Sequence, residues 1–331
     1  STVQLLQRSQ ASRLRNMVSN ARLYGNLGTL GVGSSSFGQL LSSQTQVKKY
    51  ATYNATQSGV DTLVSHIGET KPRPYYLTSG GSYKQQRQAK KLTQFSDGVF
   101  YETGTYRKSP KCFRDAAIWG DGFMYAFARA GKIQHERVIA AELWVDEVEG
   151  QYGAPRNMNR VKVVDRDELA GYFPDYRKPI MDADRAKETA TTASQNISDM
   201  VTVVECWHLG SIGPDGKTKG GKVAISLVGG GVMLQEPEDW PHDFFPFARL
   251  PWCEPVVGYW AQGGVEQVRG EQMWLNELFW VVQKSMRLAG TIKVAVQNGS
   301  KIVDEHINNE IGAVLKYAGS NAPTFFTAAP V

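Results

Sequence analysis

The sequence predicts an α+β protein. Three observations carry that expectation: amphipathic helical stretches far apart in the chain, at 54–69 and 268–289; a series of Val- and Ile-rich strands beginning near residue 200; and no internal repeat. The 331 residues suffice for two or three domains and a sizeable core, and 41% hydrophobic with 21% charged residues is a globular balance. No apolar run approaches the roughly 18 residues needed to cross a bilayer, and no apolar signal core opens the chain, so neither a membrane protein nor an exported one is expected.

In chain order, residues 1–50 are rich in Ser, Gln, Asn and Gly, and "QRSQASRLRNMVSNARLYGNLG" places Arg8, Arg13, Arg15 and Arg22 on a helix. These arginines form either a solvated face or a basic arm that meets a partner. The glycines at 25, 28, 31 and 33 predict a loop. From 54, Val60, Leu63, Val64 and Ile67 share one helical face while Thr62, Ser65 and His66 share the other. Lys71-Pro72-Arg73-Pro74 then stops the helix, because proline lacks an N–H and biases its predecessor out of the helical region. "SYKQQRQAKKLTQFSDGVFYETGTYRKSPKCFRDAAIWGDGFMYAFARAGKIQHERV", 82–138, looks mostly helical, with a turn at Gly120-Asp121-Gly122 leading into strand-like "FMYAFARAG" and "KIQHERVIAAELWV". In "VVDRDELAGYF", Asp165, Asp167 and Glu168 begin a helix, where carboxylates suit the positive N-terminal dipole. Residues 175–200 are polar and helix-friendly. "MVTVVECWHLG", "GKVAISLVGG" and "GGGVMLQEPEDWP" are strands, the first two separated by "SIGPDGKTKG" with hairpin-turn chemistry. "DFFPFARLPWCEPVVGYWAQGG", full of Pro and aromatics, is extended rather than helical.

The most informative helix is "VRGEQMWLNELFWVVQKSMRLA", 268–289. At 100° per residue, Trp274, Leu275, Leu278, Phe279, Val281, Val282, Met286 and Ala289 fall within an arc of roughly 160°. The opposite side carries Asn276, Glu277, Gln283, Lys284 and Arg287, together with Met273 and Trp280. So wide an apolar arc, with a Trp behind it, implies contact with more than one neighbour. The rod would be about 33 Å long. Gly290 closes it, and "TIKVAVQNGSKIV" resumes as a strand with an Asn298-Gly299 turn.

No motif announces catalysis. "SIGPDGKT" has Ser211 where a phosphate loop requires glycine, and a strand follows it instead of a helix. The histidines at 66, 135, 208, 242 and 306 form no H-E-x-x-H, and Cys206-x-His208 stands alone on a strand. No G-x-S-x-G elbow is present. No cofactor or metal is expected. The three cysteines, Cys112, Cys206 and Cys253, are odd in number and widely spaced, which fits free thiols in a reducing compartment. Net charge is +5 and the pI about 8.9, a mild excess for one subunit that would reach about +60 in a ring of about twelve.

The order of four stretches resembles the portal (head-to-tail connector) proteins of tailed bacteriophages. "NATQSGVDTLVSHIGETKPRP" is similar to the early portal helix before a Pro-Arg-Pro loop. "AAIWGDGFMYAFARAGKIQHERVIAAELWVDEVEGQYGAPRNMNRVKVVDRDELAGYFPD" looks like the wing stretch, and "VTVVECWHL" like the later wing strand. "GVEQVRGEQMWLNELFWVVQKSMRLAG", with "KVAVQNGSKI" and "NNEIGAVLKYAGSNAP", resembles the stem helix and its passage into the clip. Together they cover roughly residues 50–323.

The resemblance implies a portal fold with an N-terminal arm (1–50), a mixed α/β wing (51–262), a stem helix (263–291) and a small α/β clip (292–331). In the family a second stem helix, a wing helix, a tunnel loop and usually a crown follow the clip. It implies a ring, usually a dodecamer, at the capsid vertex of a virion assembled in the host cytoplasm. Double-stranded DNA passes through it, driven by a separate terminase, and a tail adaptor docks on it. Trp274, Leu275, Leu278, Phe279, Trp280, Val282 and Met286 would form subunit interfaces. Lys284, Arg287, Lys293 and Lys301 would face the DNA channel or the adaptor. Arg8, Arg13, Arg15 and Arg22 would meet the major capsid or scaffolding protein. The helix of 54–69 would anchor the wing, with Lys71–Pro74 turning the chain toward the rim. Two other readings stay open: another ring-forming virion protein, such as a minor head or tail component, and a hydrolase whose carboxylates assemble from distant positions.

Overall fold

The structure is a computed structural model that describes residues 2–26, 52–129, 131–183, 199–212, 218–228, 231–289, 293–295, 320 and 324–326. It is mixed α and β, in two compact units: Ser1–Gln46 with Asn54–Gly270, and Val47–Tyr53 with Glu271–Val331. The division between the two falls inside the long helix, at Gly270/Glu271.

The first unit begins with helices α1 (Thr2–Ser9) and α2 (Ala11–Tyr24). Helix α3 (Ala55–Glu69) starts where Asn54 Oδ1 accepts a hydrogen bond from Gln57 N at 3.1 Å, and ends just before the two prolines. Helix α4 (Tyr83–Glu102) opens with Gln85 Oε1 accepting from Ser82 N at 2.8 Å. Helix α5 (Thr105–Trp119) runs directly into strand β1 (Asp121–Arg129), so the expected three-residue turn is a one-residue joint. Gly120 makes that joint at φ +99, and a Cβ there would sit 1.9 Å from Ala261 O. Gly122 lies so close to α5 that a Cβ would fall 2.0 Å from Cys112 O.

Strands β2 (Lys132–Val138), β3 (Leu143–Trp144) and β4 (Asn157–Asp165) follow. Helix α6 (Arg166–Tyr172) is capped by Asp165, whose carboxylate accepts from Asp167 N and Glu168 N, and α7 (Arg177–Asp182) is a short continuation. Next come β5 (Met200–His208), the hairpin β6 (Ser211–Ile212) with β7 (Thr218–Lys219), then β8 (Lys222–Leu227), β9 (Met233–Asp239) and β10 (Phe247–Pro251), and the one-turn helix α8 (Gly264–Gln267). Two antiparallel sheets result, ordered β10-β1-β2 and β3-β4-β5-β8-β9.

Strand β5 shows how the sheets pack. Its odd-numbered side chains share one face. Val201 and Val203 pack with Leu169, Ala170 and Ile180 of α6 and α7, while Trp207 enters a second core with Phe123, Val138, Leu143, Met158 and Phe247. Met17 of α2 completes that second core. A third cluster joins Leu23 of α2, Val60 of α3, Ala117 and Ile118 of α5, and Val265 of α8. The helix of 54–69 thus packs through Val60, while Leu63 and Ile67 of its apolar face stay exposed. Cys112, Cys206 and Cys253 are free thiols.

The second unit holds most of helix α9 (Arg269–Ala289) and the antiparallel pair β11 (Lys293–Ala295) and β12 (Thr324–Phe326). The glycines at 28, 31 and 33, the stretch 184–198, Gly290, the Asn298-Gly299 turn, Lys301 and His306 lie outside the described residues.

Candidate functional site

Helix α9 presents the surface with the clearest functional signature. Its inward side is polar: Gln272 and Asn276 are buried. Gln272 Nε2 donates to Tyr53 O, Tyr53 N donates to Asn276 Oδ1 at 3.3 Å, and Gln272 Nε2 reaches Asn276 Oδ1 at the same distance. The extended segment at Tyr53 thus satisfies its backbone on two helix side chains one turn apart. Its ring lies 6.2 Å from that of Phe279.

On the helical wheel Asn276 lies on the side opposite the apolar arc, and part of that polar side is what the unit buries. The apolar arc is what remains open. Trp274 is 64% exposed and Met286 66%, and Leu278, Phe279, Val281 and Val282 are also exposed, while Leu275 and Trp280 are half-buried. A row of large apolar side chains on a helix of this length is a contiguous patch, the kind that marks association.

Of the four candidate cations, Lys284 and Arg287 lie on α9 and Lys293 on β11. Lys284 is exposed on α9, with its ammonium 5.2 Å from the Trp280 ring centroid, and Arg287 is exposed one turn onward. Lys293 pairs through its backbone with Phe326 in the β11–β12 ladder.

The N-terminal arginines do not act together. Arg8 and Arg15 are exposed and Arg22 is half-buried. Arg13 is committed to its own chain, which corrects its assignment to a capsid or scaffold contact. Its Nη1 donates to Ala140 O at 3.2 Å and Nη2 to Leu143 O at 2.9 Å, with the guanidinium 3.8 Å from the Trp260 ring centroid and 5.2 Å from that of Trp144. Enclosure lowers its pKa to about 10. Gln10, fully buried beside it, donates to Val145 O. The fold uses the flat, stackable guanidinium of Arg13 between rings and carbonyl oxygens.

Carboxylates do converge from distant positions, but on a cation. Arg160 of β4 is 1% exposed. Its Nε donates to Glu142 at 3.0 Å and Nη2 to Glu136 at 2.8 Å, and Nη1 stands 3.8 Å from Glu205. Lys162 Nζ lies 2.6 Å from the other Glu205 oxygen. Burial pushes the Glu142 carboxyl up. Burial also opposes the Arg160 charge, but the pull of Glu136, Glu142 and Glu205 outweighs it and raises its pKa. Each acid is engaged by Arg160 or Lys162, so the cluster joins β2, β4 and β5. Among the described residues no group of three His, Cys, Asp or Glu side chains could hold a metal ion, and no helix is long and apolar enough to cross a membrane.

His135 of β2 sits in a polar nest. Its Nδ1 lies 2.6 Å from Thr105 Oγ1 and 3.1 Å from Thr103 Oγ1, and Lys108 Nζ donates to the carbonyl oxygens of Thr103 and His135. Burial, and then the Lys108 charge, lower its pKa below the ordinary 6.5. Its neutral form therefore contributes stability that is present above about pH 6.5 and is lost as pH falls through the depressed folded value. Urea midpoints measured between about pH 7.5 and pH 5 are expected to fall more for the native chain than for His135→Gln. Parallel curves would remove His135 from the acid response.

His208 bonds Asn157 at 2.7 Å. Cys206 and His208 gather no third ligand among the described residues. No protein-family model and no curated protein matches the chain.

Proposed function

We propose that the chain is a portal-type ring subunit of a tailed bacteriophage: copies close at one capsid vertex, and duplex DNA passes through the ring during packaging and ejection. The observation that supports this best is the inversion on α9, where the polar side is used inside the unit and the apolar arc faces out. A heterologous ring gives every subunit two neighbours through two unlike surfaces, and an apolar arc of about 160° is wide enough to serve both. A helix of about 33 Å also spans roughly one turn of duplex at 3.4 Å per base pair. The ordered likeness of the four sequence stretches supplies the rest of the argument.

In this reading the protein is structural. A terminase does the ATP-driven work, a tail adaptor docks near β11–β12, and capsid and scaffolding proteins meet the outer surface. Sparse cations such as Lys284 and Arg287 suit a channel that must pass DNA without holding it, because each phosphate contact adds salt-dependent attraction.

Electron microscopy of the purified chain is expected to show annular particles, about twelvefold, with a bore wide enough for a duplex. Each Leu or Val side chain buried on association contributes about 1.5–3 kcal/mol. Leu278→Glu with Val282→Glu is therefore expected to weaken assembly by at least about 100-fold while leaving circular dichroism unchanged. A native chain that stays a folded single subunit at every concentration overturns the proposal.

A further inference from the structure

A second surface, on α4 and the segment before it, has no part in that reading. Between Thr70 and Ser96 there is no Asp or Glu, while Lys71, Arg73, Lys84, Arg87, Lys90 and Lys91 are all cationic. The segment lies along the helix: Tyr76 N donates to Thr93 Oγ1 at 3.3 Å, Tyr76 OH meets Ser96 Oγ at 3.0 Å, and Arg73 stands 3.7 Å from Asp97. Of the six cations, only Arg73 has a carboxylate partner among the described residues.

Helix α4 buries only Ala89. Lys84, Arg87 and Lys91, at steps of three and four, form a stripe on the side turned away from it. Phe95 continues the stripe and is exposed; Tyr75, Tyr83 and Tyr101 are each more than three-quarters exposed. An ordinary solvated helix face mixes charge signs, whereas α4 carries no acid from Tyr83 to Ser96 and displays three large rings, Tyr83, Phe95 and Tyr101. Lysine-rich surfaces are also poor protein interfaces, where Lys is depleted.

Unneutralised cations in a row beside open aromatic rings match one ligand chemistry: a phosphate backbone whose bases are free to stack. A duplex offers the phosphates but hides the base faces. We propose that the α4 surface binds single-stranded nucleic acid, with Lys84, Arg87 and Lys91 tracking phosphates and Tyr83 and Phe95, which flank the stripe on either side, stacking on bases. The site uses no residue of α9, so this binding does not require ring formation.

Fluorescence anisotropy of the full chain with labelled oligo(dT) and oligo(U) of about 16 nucleotides tests it, with a duplex of equal length as comparison. Binding to at least one single strand is expected to weaken steeply between about 50 and 200 mM salt. Lys84→Gln, Arg87→Gln and Lys91→Gln together should reduce the salt slope by about 2. Tyr83→Ser with Phe95→Ser should lose at least about 30-fold in affinity and leave the slope unchanged. Binding should persist in Leu278→Glu/Val282→Glu, so failure of the ring reading and failure of this one are distinguishable. The proposal is overturned by absence of binding to either strand, by substitutions that change nothing, or by a duplex that binds as tightly as the strands. Displacement by polyglutamate at equal charge would assign the surface to an acidic protein and overturn it as well.

Discussion

Arg160→Met is expected to destabilise the chain by roughly 3 kcal/mol, because it removes the common cation of buried Glu205 and half-buried Glu136 and Glu142, leaving only Lys162 on Glu205. Arg160 sits on the central strand pair, opposite Leu143 on one side and Glu205 on the other, and its guanidinium is also 5.3 Å from the Tyr125 ring centroid. Methionine fills similar space but satisfies none of Glu136, Glu142 or Glu205. The pH dependence gives the loss a signature. With Arg160 gone, the Glu142 carboxyl, already raised by burial, rises further. A folded value above the unfolded one means stability that is present at low pH and lost as pH rises through the folded value. Urea denaturation should therefore show a smaller deficit at about pH 5 than at about pH 8, and Glu142→Gln in the Arg160→Met background should recover part of it. A deficit below about 1 kcal/mol, flat with pH, would mean that the acids reach water and that the cluster does not hold the strands together.

Asp121→Ala is expected to cost a similar amount, roughly 3–5 kcal/mol. Asp121, 1% exposed, is the residue between the two close-packed glycines. Its Oδ1 accepts from Arg249 Nε at 2.7 Å and its Oδ2 from Ala261 N at 2.8 Å. Arg249 is shared in turn with Tyr259, donating to its carbonyl and lying 4.3 Å from its ring centroid. Alanine would leave the half-buried Arg249 guanidinium without a carboxylate and the buried Ala261 N–H without its acceptor, and would release the 259–261 segment from the start of β1. Asp121→Asn keeps an acceptor for Ala261 N and should lose less. Chemical denaturation of both variants checks the order; equal losses would show that the Ala261 bond contributes nothing.

Much of the secondary structure was legible because its signals are local. Asn54, Ser82 and Asp165 begin helices by bonding backbone or cap groups within three residues, and Pro72 and Pro74 keep α3 from continuing. The Val-rich runs became adjacent antiparallel strands, since β-branched residues fit a pleated, half-buried surface. The candidate site was legible only in part. The length and apolar arc of α9 came from periodicity, but the side turned inward did not, because it depends on a backbone segment more than two hundred residues earlier. Tyr53 needs a donor and an acceptor, and Gln272 and Asn276 supply both. The α4 surface was passed over as helical sequence; its signal, twenty-odd residues without a single acid, was present but lacked the exposure that makes it meaningful.

By itself, then, the sequence determined where the chain coils and where it extends, because capping bonds, proline sterics and side-chain period act over a few residues. Tertiary structure alone decided which charges are surface and which are core. Arg13 and Arg160 look like any other arginine in the chain, yet the first is enclosed by Trp144 and Trp260 and the second by three acids from separate segments. A charge is tolerated inside only when partners arrive from elsewhere, and long-range contacts alone bring those partners together.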